Sequence, residues 1–385
     1  MPFRRMLVPL LVLAASLACG GGGGDTRWGG ATTGTLTVRF GSDSFPGYDQ
    51  AVVSLEKLEG SLDGTNWTAL GTVQASCDLM QLQNGNSAVI LPATSVPAGT
   101  YSQFRITWAT KNYANPINLA AYVLPSGAST GQPLTMPATT VVTGSVAVPA
   151  GGSATAQIML SGQQAVQARA GISPYTFQAT GQAFDLAKSA GIAGKLTDAS
   201  GPLAGVEVFA ESLDGTLTVP TIQRRAFADL NGNYLLEGLP ASTNTAYYVV
   251  AQPGNSASTY PAAATAPVIV TAPATYAASL TFSGSMTPPG TLTLTVTPAS
   301  TATQGTWGEL RQTLATGSVG YQTLIVRAQT AASGLSQDQV YFTNLAPGIY
   351  GAVAQRSTGG AAPVMQSGGQ TSVSSGSAVT TTISY

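Results

Sequence analysis

The chain has no histidine, and only 8% of its 385 residues carry charge, where an ordinary soluble domain has about 25%. Without histidine the sequence lacks the side chain that changes charge near neutral pH and the commonest metal ligand. Histidine-dependent triads and histidine-bearing zinc sites are therefore excluded. Cysteine is nearly absent as well. Cys19 and Cys77 are the two present, too few for a disulfide framework once Cys19 is assigned to an exported N-terminal segment. Alone in ASCDLMQLQNG, Cys77 reads as a small buried hydrophobe. The formal net charge is −1 and the basic residues form no stripe, so nucleic acid is not an expected partner. No basic amphipathic helix points to a lipid surface. Long helical periodicity is missing, apart from one short patch around Phe184 to Ala190, and no motif calls for a cofactor.

What fills the chain instead is Thr, Ser, Ala, Gly, Asn and Gln. Disorder normally pairs low hydrophobicity with high net charge, whereas this sequence is 44% hydrophobic and almost neutral. Its Thr-rich segments alternate, and β-branched side chains suit a pleated, half-buried surface. GTLTVRF sets Leu36, Val38 and Phe40 on one face. YSQFRITW does the same with Phe104, Ile106 and Trp108, and GTLTLTV with Leu292, Leu294 and Val296. Period-two alternation of this kind marks strands with one buried face. The pairs Asp63-Gly64, Asn84-Gly85, Asp214-Gly215 and Asn231-Gly232 supply residues that tolerate the positive φ of tight turns. The expected fold class is all-β, as tandem antiparallel β-sandwich domains.

At the N-terminus, Arg4 and Arg5 precede an apolar stretch from Met6 to Ala18. It has the length of a signal-peptide core and falls short of the roughly 20 apolar residues needed to cross a bilayer. Ser16, Leu17 and Ala18 lead into Cys19, and five glycines, Gly20 to Gly24, follow. The stretch resembles the lipobox of bacterial lipoproteins, although Ser16 and Leu17 stand in swapped order relative to the usual pattern. The resemblance implies that residues 1–18 are removed and that Cys19 is acylated. Residues 19–32 then form a glycine-rich tether of high backbone freedom. Gly20 is not the aspartate associated with inner-membrane retention, so the expected location is the outer membrane of a bacterial envelope, with the membrane contacted through the lipid.

Beyond the tether, three domains are expected: 33–188, 189–285 and 286–385. The last begins after MTPPG, where Pro288 and Pro289 interrupt any central strand. A rhyme recurs in all three, SVPAGTYSQFRI, EGLPASTNTAYYVVA and TNLAPGIYGAVA: an apolar residue, a Pro/Gly turn, then an aromatic-led strand. The stretches GTLTVRFGSDSFPGYDQAVVSLEKLEGSLDGTNW, CDLMQLQNGNSAVILPATSVPAGTYSQFRI and FDLAKS resemble an uncharacterised domain family of bacterial lipoproteins, which brings no known activity. From Gly194 to Pro240, the Gly194-x-x-x-Asp198 opening, GPLAGVEV and ADLNGNYLLEGLP resemble the carboxypeptidase regulatory-like family. That resemblance implies a prealbumin-like sandwich, a non-catalytic accessory module of a carbohydrate-binding-like fold.

Several local patterns mimic chemistry. Gly127-Ala128-Ser129-Thr130-Gly131 fits a nucleophile elbow in sequence, but it lies in a loop and has no histidine base. Ser54 and Lys57 have the spacing of a Ser–Lys dyad on a helix, yet on a strand they face opposite ways unless a bulge intervenes. Asp229-x-Asn231-Gly232 begins like a calcium loop but continues as strand, so a turn is expected and no metal site. Glu56 and Glu59 are expected on an exposed edge. Trp28, Trp67, Trp108 and Trp307 are the indoles available for stacking on sugar. Trp108 alternates with core residues, which leaves Trp67, after DGTN, as the candidate ligand-binding residue. The function expected is therefore non-enzymatic: an anchored interaction or structural module with an envelope protein as partner. Carbohydrate binding is the alternative, and a carboxylate-pair hydrolase a third reading.

Overall fold

The computed structural model describes residues 32–43, 45, 47–168, 175–178, 180–213, 219–241, 243–301, 304–334, 336–358 and 363–385. Cys19, its tether, Trp28 and the Asp214-Gly215 pair lie outside the described residues. The protein is all-β, and residues 31–385 cluster into one compact unit. Among the described residues no helix is long and apolar enough to cross a membrane.

The first region is a twelve-stranded sheet. Its opening strand, Thr33–Ser42, pairs antiparallel with Ala88–Pro97 and parallel with Ser153–Leu160. The strand Tyr48–Ser61 is bonded to Thr68–Asp78, Gly99–Trp108 and Tyr122–Pro125. Leu36, Val38 and Phe40 share a single core with Leu55, Phe104, Ile106, Val142 and Ile158. Residues of one sheet can meet in one core only if the sheet folds over on itself, so it supplies both walls of a sandwich.

The second region holds two five-stranded sheets. In one, Ser189–Asp198 pairs with Asn233–Pro240 on one side and, in parallel, with Thr275–Ala277 and Leu280–Thr281. This crowding explains Gly194, because a Cβ there would run into the Ala278 carbonyl and the Tyr234 hydroxyl that donates to it. The other sheet is built on Glu207–Leu213, Pro220–Phe227 and Ala246–Ala251. The third region has two four-stranded sheets. In one of them Gly290–Thr297 pairs antiparallel with Asp338–Leu345 and parallel with Ala378–Ser384. Leu292, Leu294 and Val296 point into its core. The sheets are thus mostly antiparallel, with parallel pairings in each region.

The recurring rhyme has a common structure. Tyr101, Tyr247 and Tyr350 are fully buried, and each hydroxyl donates back to a carbonyl before its turn: Pro97 O at 3.0 Å, Pro240 O at 2.7 Å and Ala346 O at 2.6 Å. The apolar ring enters the core while its polar tip donates to a backbone carbonyl just before the turn.

Two expectations are corrected. The patch around Phe184 to Ala190 is not a helix but strand, a 3₁₀ turn at Leu186–Lys188, and strand again. Asp185 accepts from Ala187 N at 3.0 Å, which caps the start of the turn. Glu56 and Glu59 are not on an exposed edge. Their strand is internal to the sheet; Glu59 is buried, and Glu56 accepts from the Tyr113 hydroxyl.

Candidate functional site

The strand Glu207–Leu213 shows how the regions meet. Val208 and Ala210 face their own core, while the alternating residue Phe209 joins the core of the third region with Tyr248 and Val250. Both faces of the strand are therefore buried. Glu211, at 0% exposure, accepts from Ile325 N at 2.9 Å across this seam, while its Oε1 has no partner. Burial pushes its carboxyl well above the usual range. Beside it, Arg225 pairs with Glu207 at 3.3 Å and lies over the Phe209 ring at 5.1 Å.

The neighbouring strand, Pro220–Phe227, forms one wall of a cleft of about 570 Å³ where all three regions converge. The first region contributes Asp43, Ser161 and Gln182, the second Thr221, Ile222 and Arg225, and the third Trp307, Glu309, Gln355 and Ser357. The third-region set follows from strand geometry. Trp307 and Glu309 alternate on Gln304–Ala315, Gln355 and Ser357 alternate on Gly348–Thr358, and Trp307 lies directly opposite Gln355. Period-two side chains on paired strands make a contiguous stripe.

The charges at this site are largely paired within the protein. Arg224 donates to Glu237 O at 2.8 Å, Gly238 O at 2.7 Å, Gln223 O at 2.6 Å and Gln182 Oε1 at 3.2 Å, and it covers the Phe184 ring at 5.2 Å. Glu309 accepts from Arg311 at 2.8 Å and from the Gln355 amide, and burial raises its carboxyl. Asp43 is half-buried. Desolvation pushes it up to about 6 against the pull of Arg224 and Arg225. Among the described residues no three of Cys, Asp and Glu cluster as metal ligands.

The residues singled out in the sequence are scattered elsewhere. Trp67 is half-buried, and one face of its ring is closed by the Arg105 guanidinium at 4.3 Å. Arg105 is itself held by Glu59 at 2.7 Å, which also binds Lys57 at 2.8 Å. Ser54 and Lys57 flank a bulge but do not meet, because Ser54 Oγ bonds Ser76 Oγ at 2.7 Å and donates to Ala120 O at 2.6 Å. Gly127 to Gly131 connects the two short strands Tyr122–Pro125 and Gln132–Thr135. Asp229 caps its own turn, accepting from Asn231 N and Asn233 N at 2.8 Å each. Cys77 is buried, and burial pushes its thiol up to about 11. Of the three described indoles, Trp67, Trp108 and Trp307, it is Trp307 that lines the cleft; its i, i+2 spacing to Glu309 is the signal that could have singled it out. Nothing local marks Asp43.

Residues 33–190 match the family model described as a domain of unknown function, DUF4382, over nearly the span where the resemblance was read. No curated protein matches the sequence. Among solved structures, the Bacillus anthracis TIE protein is similar at 10% identity and a TM-score of 0.21, over 92% of this chain and 51% of its own. The chain thus spans about half the length of that protein. A Streptococcal ancillary pilin is similar at 11% identity and a TM-score of 0.20, over 90% of this chain and 98% of its own. The shaft pilin SpaA from Lactobacillus rhamnosus GG is similar at 11% identity and a TM-score of 0.20, over 51% of this chain and 97% of its own.

Proposed function

We propose that this chain is a non-catalytic structural and interaction module of the bacterial cell envelope, moored to the outer membrane by a lipid on Cys19. The observation that carries the reading is the joining of three β-regions by buried contacts at Arg224, Glu211 and Phe209, which favours a stiff body over a string of loose modules. The charged groups near the cleft support it too, since arginines and carboxylates bound to one another are poor acids, bases and nucleophiles. We assign the three domains to 33–188, 189–285 and 286–385, in keeping with the change of hydrogen-bonded sheet between Asp185 and Ser189 and between Thr281 and Gly290. The middle one is taken as carboxypeptidase regulatory-like.

The anchor is tested by intact mass of the membrane-extracted protein and by Cys19→Ser. The expected result is a mature N-terminus at Cys19 with added acyl mass, and release of the serine variant from the envelope fraction. Several acyl chains would hold firmly, at about 0.8 kcal/mol per buried CH₂. An unmodified N-terminus, or a serine variant that partitions like the wild type, sinks the anchor.

A further inference from the structure

We propose that the cleft at the junction of the three regions binds a neutral saccharide, a short glycan seated between Trp307 and the strand Pro220–Phe227. The inference deepens the interaction-module reading and rests on its non-catalytic character, but not on the anchor.

The volume of about 570 Å³ lies within the roughly 300–1,000 Å³ typical of small-ligand sites. Charge selects the class of occupant. An anionic ligand would look for cations, but the Arg224 guanidinium is spent on Glu237 O, Gly238 O, Gln223 O and Gln182, and Arg225 is paired with Glu207. A cationic ligand would look for carboxylates, but Glu309 is occupied by Arg311 and Gln355, and Asp43 is bonded to the Arg225 backbone and faced by the Arg224 and Arg225 charges, which repel a further cation. Capturing either kind of ion would require breaking these partly buried pairings. The cleft presents instead the hydroxyls of Ser161, Thr221 and Ser357 and the remaining amide ends, Nε2 of Gln182 and Oε1 of Gln355, whose other ends are held by Arg224 and Glu309. Hydroxyls donate and accept, while the two amides add one donor and one acceptor in fixed planes. That mixture fits the hydroxyl array of a sugar ring. The apolar C–H face of such a ring needs an aromatic or aliphatic surface, which Ile222 on one side of the cleft and the exposed 8% of Trp307 on the other provide. An aliphatic ligand would leave the hydroxyls and the remaining amide ends without partners in the cleft.

The test uses the full chain extracted in detergent, with maltose, cellobiose and N,N′-diacetylchitobiose as probes, followed by titration calorimetry and chromatography of the recovered sugar. At least one disaccharide is expected to bind with a Kd of about 1 mM or tighter. Thr221→Trp, at an exposed strand position, should fill the cleft without disturbing the core and weaken binding at least tenfold. Trp307→Phe keeps an apolar ring in place and should weaken it several-fold. Trp67→Ala should bind like the wild type. The proposal is overturned if no disaccharide binds, or if Thr221→Trp binds as well as the wild type. Sugar recovered intact supports the non-catalytic reading. Sugar cleaved by the wild type and spared by Thr221→Trp would overturn that reading while leaving the cleft as the binding site.

Discussion

Glu211 sits between two sheets with one oxygen on the Ile325 amide and the other without a partner. Its native affinity for a proton exceeds that of an unfolded glutamate, whose ordinary value is 4.5. The stability contributed by that proton is fully present below the ordinary value and is lost as pH rises through the raised native one. Asp43 acts in the same sense over a window from 3.8 to about 6. Glu211→Gln mimics the protonated form. Its thermal midpoint should match the wild type near pH 4 and exceed it at pH 8; parallel pH profiles would mean that the buried carboxyl is solvated after all. Trp67 marks the limit of reading at this scale. DGTN, with Asp63 accepting from Thr65 N and Asn66 N at 2.9 and 2.7 Å, was legible as a turn, and a tryptophan after a turn looks available. What closes its ring is Arg105, on a strand distant in sequence, and no local pattern carries that contact.

At the scale of elements, alternation located the strands, because a half-buried strand must repeat every two residues. Leu36, Val38 and Phe40, and likewise Leu292, Leu294 and Val296, are all fully buried as their spacing predicts. Alternation carries no information on direction, so the parallel pairing of Thr33–Ser42 with Ser153–Leu160 was not legible. Nor was strand order legible: Glu56 and Glu59 were expected on an exposed edge, and their strand has partners on both sides. The rhyme of turn and aromatic was visible, but its cause, a tyrosine tied back across the turn, is a tertiary fact. Tyr101→Phe keeps the ring and leaves Pro97 O without its donor. A loss of about 1 kcal/mol is expected, read as a lower denaturant midpoint at unchanged slope. A neutral result would mean that water replaces the hydroxyl.

For the whole molecule, the joining of the regions was the least legible feature. Val208 and Ala210 take one face of Glu207–Leu213, and only the presence of another sheet against the other face makes Phe209 and Glu211 internal. Arg224 plays the matching part toward the first region. Arg224→Ala leaves Glu237 O and Gly238 O without their donor and uncovers Phe184, so a loss of at least about 2 kcal/mol is expected. Calorimetry should then resolve separate transitions in place of one, and proteolysis near Leu186–Lys188 should quicken. A single unsplit transition would show that the regions do not depend on this residue for their coupling. The parallel pairing of Gly290–Thr297 with Ala378–Ser384 bears on the order in which the chain matures. The segment that opens the third region finds one of its two ladder partners only 87 residues downstream, where Thr291 pairs with Ala378. Until that later strand has been made, the edge stays open to pairing with other chains, and a chain cut short of Ala378 would leave it unsealed.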